Sequence, residues 1–203
     1  MKVYHCPHAR SLRAIWAAEE LGLELEVQPV GFPPRAKEPA YFEINPTATI
    51  PTFIDGDVTL FESVAITEYL ADKAGDSRVV VVGDDEPDRP YYRDFLLMGE
   101  ATLVAPLTQI VRYRVLQPPE LRLPRVVDDG ADIFIDRLKH IEARLDGRDW
   151  LAGGRFTLAD ISVGYAVHLG ELFRLAERMP ARVRAYLERI QARPAFQRAM
   201  ARN

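Results

Sequence analysis

The chain changes texture part-way along, and that change limits its fold more than any other feature. Over residues 1–77 short apolar runs alternate between a period of two and a helical period. "KVYH" reads as a strand. "SLRAIWAAEELG" sets Leu12, Ile15, Trp16 and Leu21 at helical spacing, with Gly22 as a stop signal. "ELEVQPV" is a second strand, and a polar, proline-rich loop, "GFPPRAKEPAYFEINP", follows it. "TIPTFID", the turn "DGD", "VTLFE" and the helix "SVAITEYLADKAG" complete a βαβ–loop–ββα order. From about residue 89 every segment is an amphipathic helix pattern. Strands followed by helices predict two domains: an α/β domain over 1–77, a linker over 78–88 containing "VVVVGDDEPD", and an all-helical domain over 89–203.

Composition narrows the partners. Of 203 residues, 48% are hydrophobic and 28% charged, enough apolar surface for a core without disulfides or metals. A net charge of -4 argues against nucleic acid or an anionic membrane as the main partner. A single cysteine, Cys6, rules out an internal disulfide framework and fits a reducing compartment. The opening "MKVYHC" has no apolar leader, and no apolar run approaches the roughly 20 residues of a membrane span, so a cytoplasmic protein is expected. No His/Cys/Asp cluster has metal-ligand spacing and no glycine-rich phosphate loop is present, so no metal is expected.

Pro51 interrupts the third strand, "TIPTF". Proline cannot donate to a sheet ladder, so it belongs at an edge, a bulge or a cis bond. A cis Ile50-Pro51 bond would turn the N–H and C=O of Ile50 outward, free to pair with an extended peptide. With this segment the chain resembles the glutathione S-transferases of the cytosolic, bacterial-like type, whose fold is a thioredoxin-like domain followed by a helical bundle. "NPTATIPTF" is similar to the family's Asn-Pro-x-Gly-x-Val/Ile-Pro segment, with Ala48 where glycine is usual. The resemblance implies that Ile50, beside Pro51, pairs through its backbone with the cysteinyl unit of glutathione, the expected co-substrate.

"LFESVAI" turns a strand into a helix at Glu62-Ser63. Ser63 is a natural helix cap, and a helix start also attracts an anion. Glu62 beside it offers the opposite sign to an ammonium. The pair therefore suits a γ-glutamyl group, which carries both charges on one carbon. Lys37 or Arg35 in the preceding loop is a candidate partner for the glycine carboxylate. "RFTLADISVG" places Thr157 and Asp160 as a capping box at the head of a core helix, with Phe156 as a hydrophobic staple; it matches the family's C-terminal signature and carries structure, not chemistry.

The identity of the thiol activator stays open. A thiol of ordinary pKa near 8.5 is only a few per cent ionised at neutral pH, so a donor near the start of the first helix is needed. Family members with a catalytic serine or cysteine in this loop place it where this chain has His8, Ala9 and Arg10. Ser11, Cys6 and His8 are the candidates, in that order. "CPHA" at 6–9 also resembles the Cys-Pro-Phe-Ala of the omega class, whose cysteine forms a mixed disulfide with glutathione. Tyr113 with Arg112 is the candidate lining for a small hydrophobic or electrophilic substrate. The family implies a homodimer formed through 62–73 and 89–104. Conjugation of glutathione to an electrophile leads; a thiol-disulfide oxidoreductase using Cys6 and a non-catalytic glutathione-binding module are the alternatives.

Overall fold

The computed structural model describes residues 1–202, which form two compact units: Met1–Val81 together with the C-terminal residues from Gln191, and Val82–Ile190. The last helix, expected within the helical domain, thus packs with the first unit. The expected strands and helices are present in both units.

In the first unit, β1 (Lys2–His5), β2 (Glu26–Pro29), β3 (Thr52–Asp55) and β4 (Val58–Leu60) form one sheet in the order β2-β1-β3-β4. β1 runs parallel to β2 and antiparallel to β3, with Val3 opposite both Val27 and Phe53. Helix α1 (Leu12–Leu21) is the crossover that a parallel pair requires, and it ends where Gly22 takes a left-handed φ of 65°. Its apolar residues Leu12, Ile15 and Trp16 are wholly buried, as are Ile66 and Leu70 of α3 (Ser63–Lys73). The proline-rich loop is more ordered than its composition suggests. It contains a one-turn helix α2 (Pro34–Lys37), a 3-10 turn (Pro39–Glu43), and a second cis bond at Phe32-Pro33 that sequence reading did not identify. Helix α9 (Pro194–Ala201) returns to α1, where the Trp16 and Phe196 rings meet edge to face at 4.9 Å.

In the second unit, one helical run spans residues 89–116. It comprises α4 (Arg89–Met98), a π-helical turn (Gly99–Val104), α5 (Ala105–Ile110) and a second π-helical turn (Val111–Leu116). Pro106 lies inside the run and lacks the N–H that would serve the Thr102 carbonyl in a regular ladder. Arg137 of α6 (Pro124–Arg144) donates to that carbonyl instead, at 2.5 Å. Gly99 permits a close helix crossing, since a Cβ there would fall 2.4 Å from the Ser162 carbonyl carbon. Ser162 in turn donates to the Leu96 carbonyl at 2.7 Å. α7 (Leu158–Leu172) is buried almost end to end, as an apolar, low-charge sequence requires, and α8 (Ala181–Gln191) packs its Tyr186 inward.

One expectation changes. The run 89–116 contains a window of mean hydropathy 1.2, so by length and composition one helix does reach membrane-spanning size, although 44% of that window is buried in the protein. Within the linker, "VVVV" packs in part, with Val80 and Val82 buried.

Candidate functional site

Three pieces of chain in the first unit carry the candidate residues: the loop from β1 into α1, the loop into β3, and the start of α3.

In the first, Cys6 and Ser11 both point into the protein. Ser11 occupies the cap position of α1 but makes no side-chain cap bond; its hydroxyl lies 2.8 Å from Nδ1 of His5, and both residues are buried. The Ser11 hydroxyl therefore neither caps the helix nor lies at the rim, and its place at the head of the candidates does not suit this geometry. Cys6 is fully buried and donates its S–H to the Val30 carbonyl at 3.0 Å. Burial, reinforced by the Glu38 carboxylate, pushes the thiol up to about 11. A thiol so placed is a packed side chain rather than a ready nucleophile. His8 is exposed, on backbone with a left-handed φ of 59°, a conformation that His tolerates better than most residues. The Leu12 and Arg13 amides already donate to the Ala9 and Arg10 carbonyls, which leaves the helix dipole as the main field at this end.

In the second, the Ile50-Pro51 bond is cis, as expected, and Ile50 lies just ahead of the first β3 residue paired to β1. A buried polar brace holds this loop. Tyr41 Oη donates to the Thr49 carbonyl at 3.1 Å and lies 2.6 Å from Thr52 Oγ1. Asn45 Nδ2 donates to the same carbonyl at 3.0 Å and to Thr52 Oγ1 at 3.1 Å, while Asn45 Oδ1 accepts from the Thr47 amide and hydroxyl. Burial raises the Tyr41 hydroxyl, so it remains protonated and able to donate. Sequence reading missed this brace. The Asn45-Pro46 pair was its one local signal, since an Asn side chain before proline favours a turn. Ala48 occupies the family's glycine position at a left-handed φ of 48°, and it is buried.

In the third, Glu62 and not Ser63 is the cap residue of α3, and Ser63 is its first helical residue. The ladder begins with the Ile66 amide donating to the Glu62 carbonyl, so the amides of residues 63–65 open toward the helix end. Glu62 is exposed; Ser63 is 2% exposed and its Oγ accepts from Arg13 Nη1 at 3.1 Å. Arg13 is wholly buried and was not among the candidates. A cation in the middle of an apolar helix face is a signal that was there to read.

The remaining candidates lie elsewhere. Lys37 and Arg35 are exposed on α2. Arg112 and Tyr113 belong to the second unit, with the guanidinium 5.5 Å from the ring centre. The capping box forms: Asp160 accepts from the Thr157 amide and hydroxyl and also from the Leu151 amide and Tyr186. Burial, opposed by those four donors, pushes Asp160 up to about 6.

Comparison with known proteins agrees with this layout. The family model described as glutathione S-transferase, N-terminal domain, matches residues 1–72, and the one for the C-terminal domain matches residues 135–194. Glutathione S-transferase 3 of Zea mays is 31% identical over 99% of this chain and 93% of its own. Glutathione S-transferase F9 of Arabidopsis thaliana is 27% identical over 100% of this chain and 97% of its own. Among solved structures, glutathione S-transferase III in apo form superposes with a TM-score of 0.79 at 29% identity, covering 98% of this chain and 95% of that one. A sphingomonad glutathione S-transferase complexed with glutathione reaches 0.83 at 24% identity, covering 100% and 98%, a likeness of fold. A thioredoxin-like domain with a cis proline before β3, a Glu-Ser helix start and a capped core helix in an all-helical domain converge with these matches: the chain belongs to the glutathione S-transferase family.

Proposed function

We propose that this protein is an active glutathione transferase, adding the sulfur of glutathione to a small electrophile. The observation that carries the reading is the start of α3, where an exposed carboxylate, a hydroxyl and open helix amides sit on consecutive residues. An α-amino acid end presents an ammonium and a carboxylate on one carbon, and this arrangement answers both. The backbone of Ile50, next to Pro51, is then the partner for the cysteinyl unit, with Lys37 on the glycine carboxylate. Arg112 and Tyr113 are proposed to meet the electrophile.

In the reaction the bound thiol loses its proton, the thiolate attacks the electrophilic atom, and a C–S bond forms as a leaving group departs or a double bond takes up the proton. Catalysis requires only that the sulfur anion be held better than the thiol. The positive end of α1 supplies part of this, with His8 as the exposed donor nearest in sequence. Burial of Cys6 tells against the thiol-disulfide alternative, because the nucleophile of such an enzyme must be reachable and ionised. A cytoplasmic homodimer, paired through regions 62–73 and 89–104, completes the proposal; light scattering at the 23.0 kDa monomer mass across micromolar concentrations would remove the dimer.

Titration calorimetry with glutathione tests the binding site. Glu62→Gln and Ser63→Ala together should weaken affinity by 2–4 kcal/mol, about 1–2 for each lost interaction. Unchanged affinity in that double variant overturns the assignment.

A further inference from the structure

We propose that Arg13 is a positioning residue for the anionic end of glutathione, acting through Ser63. The inference rests on the glutathione reading above and adds to it a residue that never touches the ligand.

Arg13 lies in the first turn of α1 and is 0% exposed, a placement that arginine almost never takes without a specific partner. Its Nη1 reaches across 50 positions of sequence to Ser63 Oγ at 3.1 Å. A guanidinium has donors only, so this bond fixes which way the hydroxyl works. Ser63 must accept here, and its own O–H proton is left to donate. Among the described residues the Ser63 side chain makes no second hydrogen bond. Because Ser63 is the first helical residue of α3, that proton is presented at the end where the amides of residues 63–65 open.

A carboxylate arriving there meets a hydroxyl already turned to donate, with the Arg13 guanidinium one hydrogen bond behind it. That charge is buried, so salt screens it weakly and the ligand need not strip water from it. The arrangement has the features of preorganisation: donor direction and charge are set before the ligand arrives. A rival role is purely mechanical, with Arg13 stapling α1 to α3. The two roles differ in one respect. A staple supports every ligand equally, whereas the proposed role concerns only ligands that carry the α-carboxylate.

The experiment compares glutathione with 4-aminobutyryl-cysteinylglycine, the same tripeptide without the α-carboxylate, by calorimetry on the full chain. The proteins are wild type, Arg13→Met and Arg13→Lys. Wild type should prefer glutathione. Arg13→Met should lose about tenfold in glutathione affinity, as expected for one charge-assisted contact, while its affinity for the decarboxylated analogue stays put. Arg13→Lys, which keeps the charge and a donor, should fall between. An equal loss for both ligands, or an unchanged preference with only a lower melting temperature, overturns the proposal and leaves Arg13 a staple. If Arg13→Met does not fold, the preference ratio of Arg13→Lys decides in the same way. Failure of wild type to bind glutathione would instead overturn the underlying reading, and the proposal with it.

Discussion

Arg193 grips Glu20 with two parallel hydrogen bonds, Nε to Oε1 and Nη2 to Oε2, both 2.7 Å. Trp16 Nε1 donates to the same Oε1 at 3.0 Å, and the Glu20 side chain is only 9% exposed. The C-terminal helix is thereby fastened to α1, and Arg198 and Arg202 add a looser pair of contacts to Glu19. Replacing Arg193 by Met leaves a nearly buried carboxylate with one donor. The expected cost is about 2–4 kcal/mol by urea denaturation, near the lower range for breaking a buried pair because Arg193 itself is partly exposed. A loss below about 0.5 kcal/mol would show that the α1–α9 seam is held without the Arg193–Glu20 pair, by the Trp16–Phe196 contact and the Glu19 ion pairs.

Arg137→Met should destabilise the second unit by about 1–3 kcal/mol, because the Thr102 carbonyl beside Pro106 then has no donor from α6. Arg137→Lys, which can still donate, should lose less. Chemical denaturation monitored by circular dichroism measures both. Equal losses would mean that the arginine acts through packing of its stem and not through the hydrogen bond.

The sequence and the structure part company where an outcome depends on which way a side chain turns. The order of strands and helices along the chain, the α1 crossover and the capped α7 were legible, because periodicity, Gly22 and the Thr157–Asp160 spacing are local signals read over a few residues. The cis bond at Pro51 was legible because a proline against a strand leaves few choices, although β3 itself begins only at Thr52. Ser11 was not. A serine before a helix looks like a cap, and only the folded chain brings His5, six residues earlier, to 2.8 Å from its hydroxyl. Similarly, α8 and α9 read as one continuing helical domain, since an amphipathic stripe shows that a face is buried but not against which partner. Arg13 was missed for a related reason: its bond to Ser63 spans 50 positions of sequence, and composition carries no trace of such pairing; the bonds of Tyr41 and Asn45 are local but depend on how the loop into β3 folds back on itself.

Cys6 should resist alkylation. With its thiol pushed up to about 11, the native protein at pH 7–8 carries almost no thiolate at this position, and the sulfur is buried besides. Iodoacetamide should label it only at the rate of local opening, and quickly in denaturant. The shift also has a stability consequence. The folded thiol ionises later than the unfolded one, whose pKa is near 8.5, so the contribution is fully present below that pH and is lost as pH rises through 11. Wild type should lose about 2–3 kcal/mol more than Cys6→Ala between pH 8 and 11. Parallel pH curves for the two proteins would refute the buried, protonated thiol.

Ser11 should not set the pKa of bound glutathione. Its hydroxyl is committed to His5 inside the protein, so Ser11→Ala is expected to cost about 1–3 kcal/mol of stability by leaving a buried ring nitrogen without its partner, and to leave the thiol titration unmoved. What remains at the start of α1 is the helix field and the exposed His8. A helix terminus contributes about 0.3–1 kcal/mol to a nearby anion, which lowers a thiol by less than one pKa unit. Bound glutathione should therefore be only partly ionised at pH 7, and kcat/KM should climb as pH rises from 7 to 9. Thiolate absorbance near 240 nm, followed against pH in wild type, Ser11→Ala and His8→Ala, reads this directly. A thiol fully ionised at pH 6.5 in wild type, and protonated there in Ser11→Ala, would restore Ser11 as the activating donor and require its side chain to turn outward when glutathione binds.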